Sequence, residues 1–251
     1  MKPPGRWWWR SFSPLGSWTQ VARQAVQAAL RQAFTIWGRP QRRRVDNGPP
    51  WGSWNDLPPD LALWAIGLGI AMHWNRPRHC QENGKVERSH GVRAGWVEPA
   101  TCPDVATLQT RLTAASRLQR EVYPALRGQA RSVACPALGQ GGRPYAPARE
   151  AALFDAQRVW RYLAGQVWTR QVDKVGRISL YNRPLGVGRA SAGHEVAVRF
   201  DPTTVTWTIQ DAAGRTITQH PAPELSRARI RRLDVSQRRQ QANPHVHPPR
   251  G

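Results

Sequence analysis

Apolar residues recur at helical spacing in the first half of the chain and at every second position in its last third. Over 19–37 they fall mostly on one helical face, and Gly38 and Pro40 follow, so we predict a helix that ends there. A second amphipathic helix is predicted over 104–122. Further helices are expected over 60–68 and from 82 to about 96, and short strands over 41–45 and 70–74.

From about residue 167 the apolar period changes to two. Val196, Val198 and Phe200 alternate with polar residues, as do Trp207 and Ile209, and turn-forming residues separate these segments. Short strands at this spacing are typical of a small β-barrel. We therefore divide the chain into an irregular start (1–18), a region of helices and short strands (19–123), a connector rich in Pro, Gly and Arg (124–165), a β-barrel (166–220) and a basic tail (221–251).

The charge of the chain favours nucleic acid as a partner. The sequence holds 37 Lys and Arg residues against 16 Asp and Glu, a net charge of +21, and only three of the basic residues are Lys. The planar guanidinium group of Arg grips phosphate with two hydrogen bonds, so an excess of Arg points to a phosphate backbone. A genome rich in Arg codons explains Arg over Lys, but it does not explain the excess of basic over acidic residues.

Cysteine and hydropathy patterns indicate a cytoplasmic protein. The three cysteines are scattered, which argues against a disulfide framework and against a cysteine-rich zinc site. No apolar run reaches the roughly 18 residues that a membrane span needs. The Trp-rich, basic N-terminus lacks the apolar stretch of a secretory signal.

Two short motifs carry the candidate chemistry. The first is Arg44-Val45-Asp46-Asn47-Gly48, in which a short strand delivers an acid to a sharp Asn-Gly turn. Alone it is an ordinary surface turn, but Phe34-x-x-Trp37-Gly38-x-Pro40 precedes it. The second is Asn83-Gly84-Lys85-Val86-Glu87-Arg88. Together they resemble the second and third acidic motifs of the DDE transposases and retroviral-type integrases.

This resemblance, strong over roughly 18–99, implies a fold and a chemistry. The fold class it implies is α/β, with 19–123 as a partial RNase H-like integrase core and the following helix. The C-terminal β-barrel expected after it resembles the barrel of such transposases around Trp168-x-Arg170-x-Val172-Asp173. Enzymes of this family hold two divalent cations, Mg²⁺ or Mn²⁺, with Asp, Asp and Glu, and use them to cut and join DNA.

The resemblance assigns Asp46 as the second metal-binding acid, and two residues compete for the third position. Glu82 follows Asp46 after 35 intervening residues, a spacing common in the superfamily, whereas Glu87 follows after 40. The local motif Asn-Gly-x-x-Glu-Arg favours Glu87, because loop insertions shift spacing more easily than they change the surroundings of a metal. Glu82 is better placed to stabilise the start of the helix. We therefore take Asp46 and Glu87 as the catalytic, metal-binding pair.

The first acid of the triad is missing, since no Asp or Glu precedes Asp46. The resemblance therefore indicates an N-terminally truncated transposase of a mobile element, inactive alone and associated with the nucleoid. The alternatives are a non-catalytic DNA-binding protein derived from a transposase, and an enzyme completed by a separate upstream product. The resemblance implies that DNA is the partner and that the chain self-associates. We expect Lys85, Arg88 and Arg93, with Arg231 and Arg232 in the tail, to contact DNA.

Overall fold

The computed structural model describes residues 22–52, 56–79, 81, 84–136 and 142–236. Within them the chain is a mixed α/β protein with antiparallel sheets, as the sequence predicts at this coarse level. The predictions for the irregular start over 1–18, for Glu82 and for the last residues of the tail lie outside this part of the chain.

Helices and strands follow one another along the described residues. The helices are α1 (Arg23–Trp37), α2 (Asp60–Gly67), α3 (Gly84–Val97), α4 (Val105–Glu121), α5 (Arg131–Ala134), α6 (Glu150–Leu153), α7 (Ala156–Ala164) and α8 (Arg227–Arg232). The strands are β1 (Arg42–Val45), β2 (Ala71–Trp74), β3 (Pro124–Leu126), β4 (Gln129–Ala130), β5 (Trp168–Gln171), β6 (Arg177–Leu180), β7 (Arg183–Gly186), β8 (Glu195–Asp201), β9 (Thr206–Gln210) and β10 (Thr216–Pro221). The chain divides into two compact units: the first comprises 1–46 and 73–150, and the second comprises 47–72 and 151–251.

The first unit contains the long helices α1, α3 and α4, and α3 packs against α4. Helix α1 ends where predicted, because Gly38 adopts a φ of 74°, in the left-handed region that glycine enters without strain. Phe34 of this helix is buried and packs edge-on against Tyr145, with ring centroids 5.6 Å apart. Strand β1 pairs with β2, whose last two residues belong to this unit.

The first unit leaves much apolar surface uncovered. Of the large hydrophobic side chains that are exposed in the described part of the chain, most belong to it: Ile36, Trp37, Val86, Val105, Leu118, Val122, Tyr123 and Val133. Helix α4 has 17 residues but buries only Ala115 and Gln119. A helix buries its apolar face only where another element packs against it, so these side chains remain exposed.

The second unit has a denser core. All eight residues of α2 are buried, and this helix packs against α7 and α8. The backbone N–H of Asp155 donates to the carbonyl oxygen of Gly67 at 3.0 Å, which fixes the start of α7 beside the end of α2. Trp207 of β9 is fully buried and packs edge-on against Trp168 and Phe200.

The strands of the second unit do not close into a barrel within the described residues, so the predicted β-barrel is wrong. Four of them form an open antiparallel sheet in the order β10-β9-β8-β5, and β6 pairs with β7 in a separate hairpin. The alternation of buried Val196, Val198 and Phe200 predicts the strands correctly. An open sheet with one buried face has the same alternation as a barrel, so the pattern cannot distinguish them.

The segments described as connector and tail contain regular structure. Residues 124–165 include the β3–β4 hairpin and helices α5, α6 and α7. The tail is folded as far as residue 236, where Leu225, Ile230 and Val235 are buried. Across the described ranges, every helix is too short or too polar to cross a membrane.

Candidate functional site

Strand β1 brings Asp46 to the surface of the first unit. Val45, at the end of the strand, is buried, and its carbonyl oxygen accepts a hydrogen bond of 2.9 Å from the backbone N–H of Asn75. Asp46 comes next and its side chain is exposed. The chain turns directly afterwards, where the N–H of Trp51 donates to the carbonyl oxygen of Gly48 at 3.0 Å. A strand end followed by a turn is the setting that the sequence predicts for this acid.

Helix α3 carries the other candidate acid, Glu87, in its first turn and exposed. The opposite side of the helix faces α4, since the Ser89 hydroxyl donates to Oε1 of Gln119 at 3.0 Å. Near the end of the helix Val97 is buried, and Trp96 packs edge-on against Tyr123, with 5.2 Å between ring centroids. These contacts hold α3 in place, while Val86 and Glu87 in its first turn are exposed.

The predicted DNA-contacting residues are not equally available. Lys85 lies in the first turn of α3, and Arg88 of the same helix is exposed. Nε of Arg93 donates to the carbonyl oxygen of Ser89 at 3.3 Å, which holds this half-buried side chain along its own helix. Arg231 and Arg232 lie in α8 of the second unit, where Arg232 is exposed and Arg231 is half-buried. Arg88 is therefore an exposed cation that directly follows Glu87 in the helix.

The described residues do not fit a two-metal site. Two cations held about 3.5–4 Å apart need several carboxylate ligands. Nowhere in the described part of the chain do three or more His, Cys, Asp or Glu residues lie close enough together to hold a metal ion. Asp46 and Glu87 supply only two carboxylates, fewer than a two-metal site needs.

Positive charge is concentrated in the unit that holds both candidate acids. Its sequence contains 21 Lys and Arg residues against 7 Asp and Glu, a net charge of +14, whereas the second unit has 16 against 9, a net charge of +7. A polyanion is therefore attracted mainly to the first unit.

Two exposed arginines of β1, Arg42 and Arg44, were missed by the sequence analysis. They alternate with Arg43 and Val45, which face the other side of the strand, and Asp46 continues the exposed series. Burial lowers the pKa of Arg43, in keeping with its position on the inner side of the strand. The two-residue period of a strand, applied to Arg42-x-Arg44-x-Asp46, is the signal that identifies them.

No protein-family model matches this sequence. The resemblance to DDE transposases therefore rests on the residues around Asp46 and Glu87.

Proposed function

We propose that this chain is a transposase-type protein of a mobile element that binds DNA and does not join DNA strands by itself. In this proposal the first unit is a partial RNase H-like core, and Asp46 and Glu87 correspond to the second and third acids of the DDE triad. The observation that carries the proposal is the concentration of positive charge in the unit that holds these two acids, +14 of the +21 on the whole chain.

The setting of each acid supports this correspondence. Asp46 follows a strand and precedes a turn, and Glu87 lies in the first turn of a helix that packs within the same unit. These are the settings that the family resemblance implies for its second and third acids. Both side chains are exposed, so a nucleic acid can approach them.

The number of available acids argues against strand joining by the chain alone. The family's reaction uses three carboxylates, and this sequence has no acid before Asp46. DNA binding does not depend on the missing ligand, because contacts between Arg and phosphate need no metal. The proposed activity is therefore binding that persists when divalent cations are removed.

The experiment uses the purified full chain with supercoiled plasmid and short duplex DNA, in Mg²⁺, in Mn²⁺ and in EDTA. We expect equal DNA binding in all three buffers, and nicking or joining no higher than that of Asp46→Asn. Glu98→Gln, which removes another exposed carboxylate of the first unit, is the matched control. Nicking or joining that Asp46→Asn abolishes and Glu98→Gln retains would show a working enzyme. Absence of DNA binding would overturn the proposal altogether.

A further inference from the structure

The outer face of β1 presents two cations in line with Asp46. Side chains two residues apart on a strand point to the same side and lie about 6.6 Å apart along it. Arg42, Arg44 and Asp46 are all exposed, whereas Val45 is only 6% exposed. The alternation therefore places Arg42 and Arg44 on the exposed side of β1, and the exposed Asp46 follows the strand directly.

The side chains of Arg42 and Arg44 make no hydrogen bond or ion pair with another described residue. Other arginines of the same unit do: Arg31 pairs with Glu150 at 2.7 Å, and Arg117 pairs with Glu121 at 2.8 Å. Because neither guanidinium group is engaged within the described part of the chain, the five N–H donors of each remain available to an external anion. The surrounding unit, with its net charge of +14, has few carboxylates to compete for them.

We propose that Arg42 and Arg44 grip the phosphodiester backbone of duplex DNA and so hold it beside Asp46. This inference rests on the proposed function and adds the surface through which DNA is bound. Two N–H groups of one guanidinium can donate parallel hydrogen bonds to two oxygens of a phosphate group. Two arginines spaced along a strand can therefore contact separate phosphates of one DNA backbone. Contacts of this kind fix the position of DNA without reading its sequence.

The test is the salt dependence of DNA binding by the full chain, measured by fluorescence anisotropy of a labelled duplex between about 50 and 200 mM salt. The variant is Arg42→Gln/Arg44→Gln. The matched control is Arg177→Gln/Arg189→Gln, which removes the same charge from two exposed arginines of the second unit. Each lost phosphate contact makes the slope of log affinity against log salt shallower by about 0.9. We therefore expect the slope of the Gln variant to be shallower than that of the wild type by about 1.8, and the slope of the control to be almost unchanged.

A conservative variant distinguishes the effect of bidentate hydrogen bonding from the effect of positive charge alone. Arg42→Lys/Arg44→Lys keeps both charges but cannot bind a phosphate through a fork, so we expect it to retain the wild-type slope with a lower affinity. Far-UV circular dichroism of each variant checks that the fold is intact. If the wild type binds DNA but the Gln variant has the same slope as the Arg177/Arg189 control, Arg42 and Arg44 do not form the DNA-binding surface. The proposed DNA-binding function is then unaffected. If the wild-type chain shows no salt-dependent DNA binding, the proposed DNA-binding function is wrong, and the proposed surface is wrong with it.

Discussion

Arg31 and Glu150, which are 119 positions apart in the sequence, form a two-point ion pair in the first unit. Nε and Nη2 of Arg31 donate to Oε2 and Oε1 of Glu150, each at 2.7 Å, and the Tyr145 hydroxyl donates to Oε2 at 2.6 Å. Glu150 is only 3% exposed. This cluster links α1 to residues near the end of the unit, so it contributes directly to the unit's stability.

Replacing Glu150 with Gln is expected to destabilise the protein by about 1.5–3 kcal/mol, the range for hydrogen bonds to charged groups. The substitution keeps the shape of the side chain but removes the charge that Arg31 faces. Urea unfolding followed by Trp fluorescence measures the change. The control is Glu121→Gln, which weakens the surface pairs with Arg117 and Arg120 and should leave the urea midpoint nearly unchanged. If both substitutions lowered the free energy of unfolding equally, the buried cluster around Glu150 would not be a special source of stability.

The same cluster makes stability depend on alkaline pH. Burial raises the pKa of Tyr145, and its hydrogen bond to Glu150 raises it further. The phenol therefore stays protonated to a higher pH in the folded chain than in the unfolded chain, where its pKa is near 10.0. Its contribution is fully present below that value, and the free energy of unfolding falls as pH rises above it.

Tyr145→Phe should reduce this alkaline loss of stability, because the titrating group is gone. The loss does not vanish, since burial also raises the pKa of Tyr181. Urea unfolding of the wild type and the variant at pH 8 and at pH values above 10 measures the difference. A variant whose stability falls with pH as steeply as that of the wild type would rule out Tyr145 as a source.

Two glycines within helices should respond in opposite ways to alanine. A Cβ atom at Gly67 of α2 would overlap the ring of Phe154, which is buried, so Gly67→Ala should destabilise by about 1–3 kcal/mol. A Cβ atom at Gly91 of α3 meets nothing within 4 Å, so Gly91→Ala should stabilise by about 0.5–1 kcal/mol through helix propensity. Thermal unfolding of both variants tests the pair, and a destabilising Gly91→Ala would show that α3 is packed more tightly than we describe.

Local patterns predicted most elements of the fold. Asp104 stands before the amphipathic run of α4 and accepts a hydrogen bond of 2.6 Å from the N–H of Thr107, as a helix cap does. Helix α7 was assigned to the connector, although Asp155 caps it and Val159 and Leu163, four residues apart, are its buried positions. Nearby Pro and Gly residues obscured this short signal.

Long-range contacts could not be predicted from local patterns. The hydroxyl and the backbone N–H of Ser236 both donate to Oδ1 of Asp60 at 3.0 Å, across 176 positions of sequence. The sequence predicts that Asp60 opens a helix, which is confirmed, but nothing near it indicates this partner. For the candidate site, the strand before Asp46 and the helix around Glu87 were predicted, because both follow from period and turn residues. Their roles in chemistry stay predictions.

The most direct test of the account is the salt dependence of duplex DNA binding by the wild-type chain in EDTA. With a net charge of +21, concentrated in the first unit, we predict an affinity that falls at least roughly 100-fold between 50 and 200 mM salt, which corresponds to about four phosphate contacts. An affinity that does not change with salt, or binding that appears only when Mg²⁺ or Mn²⁺ is added, would contradict it.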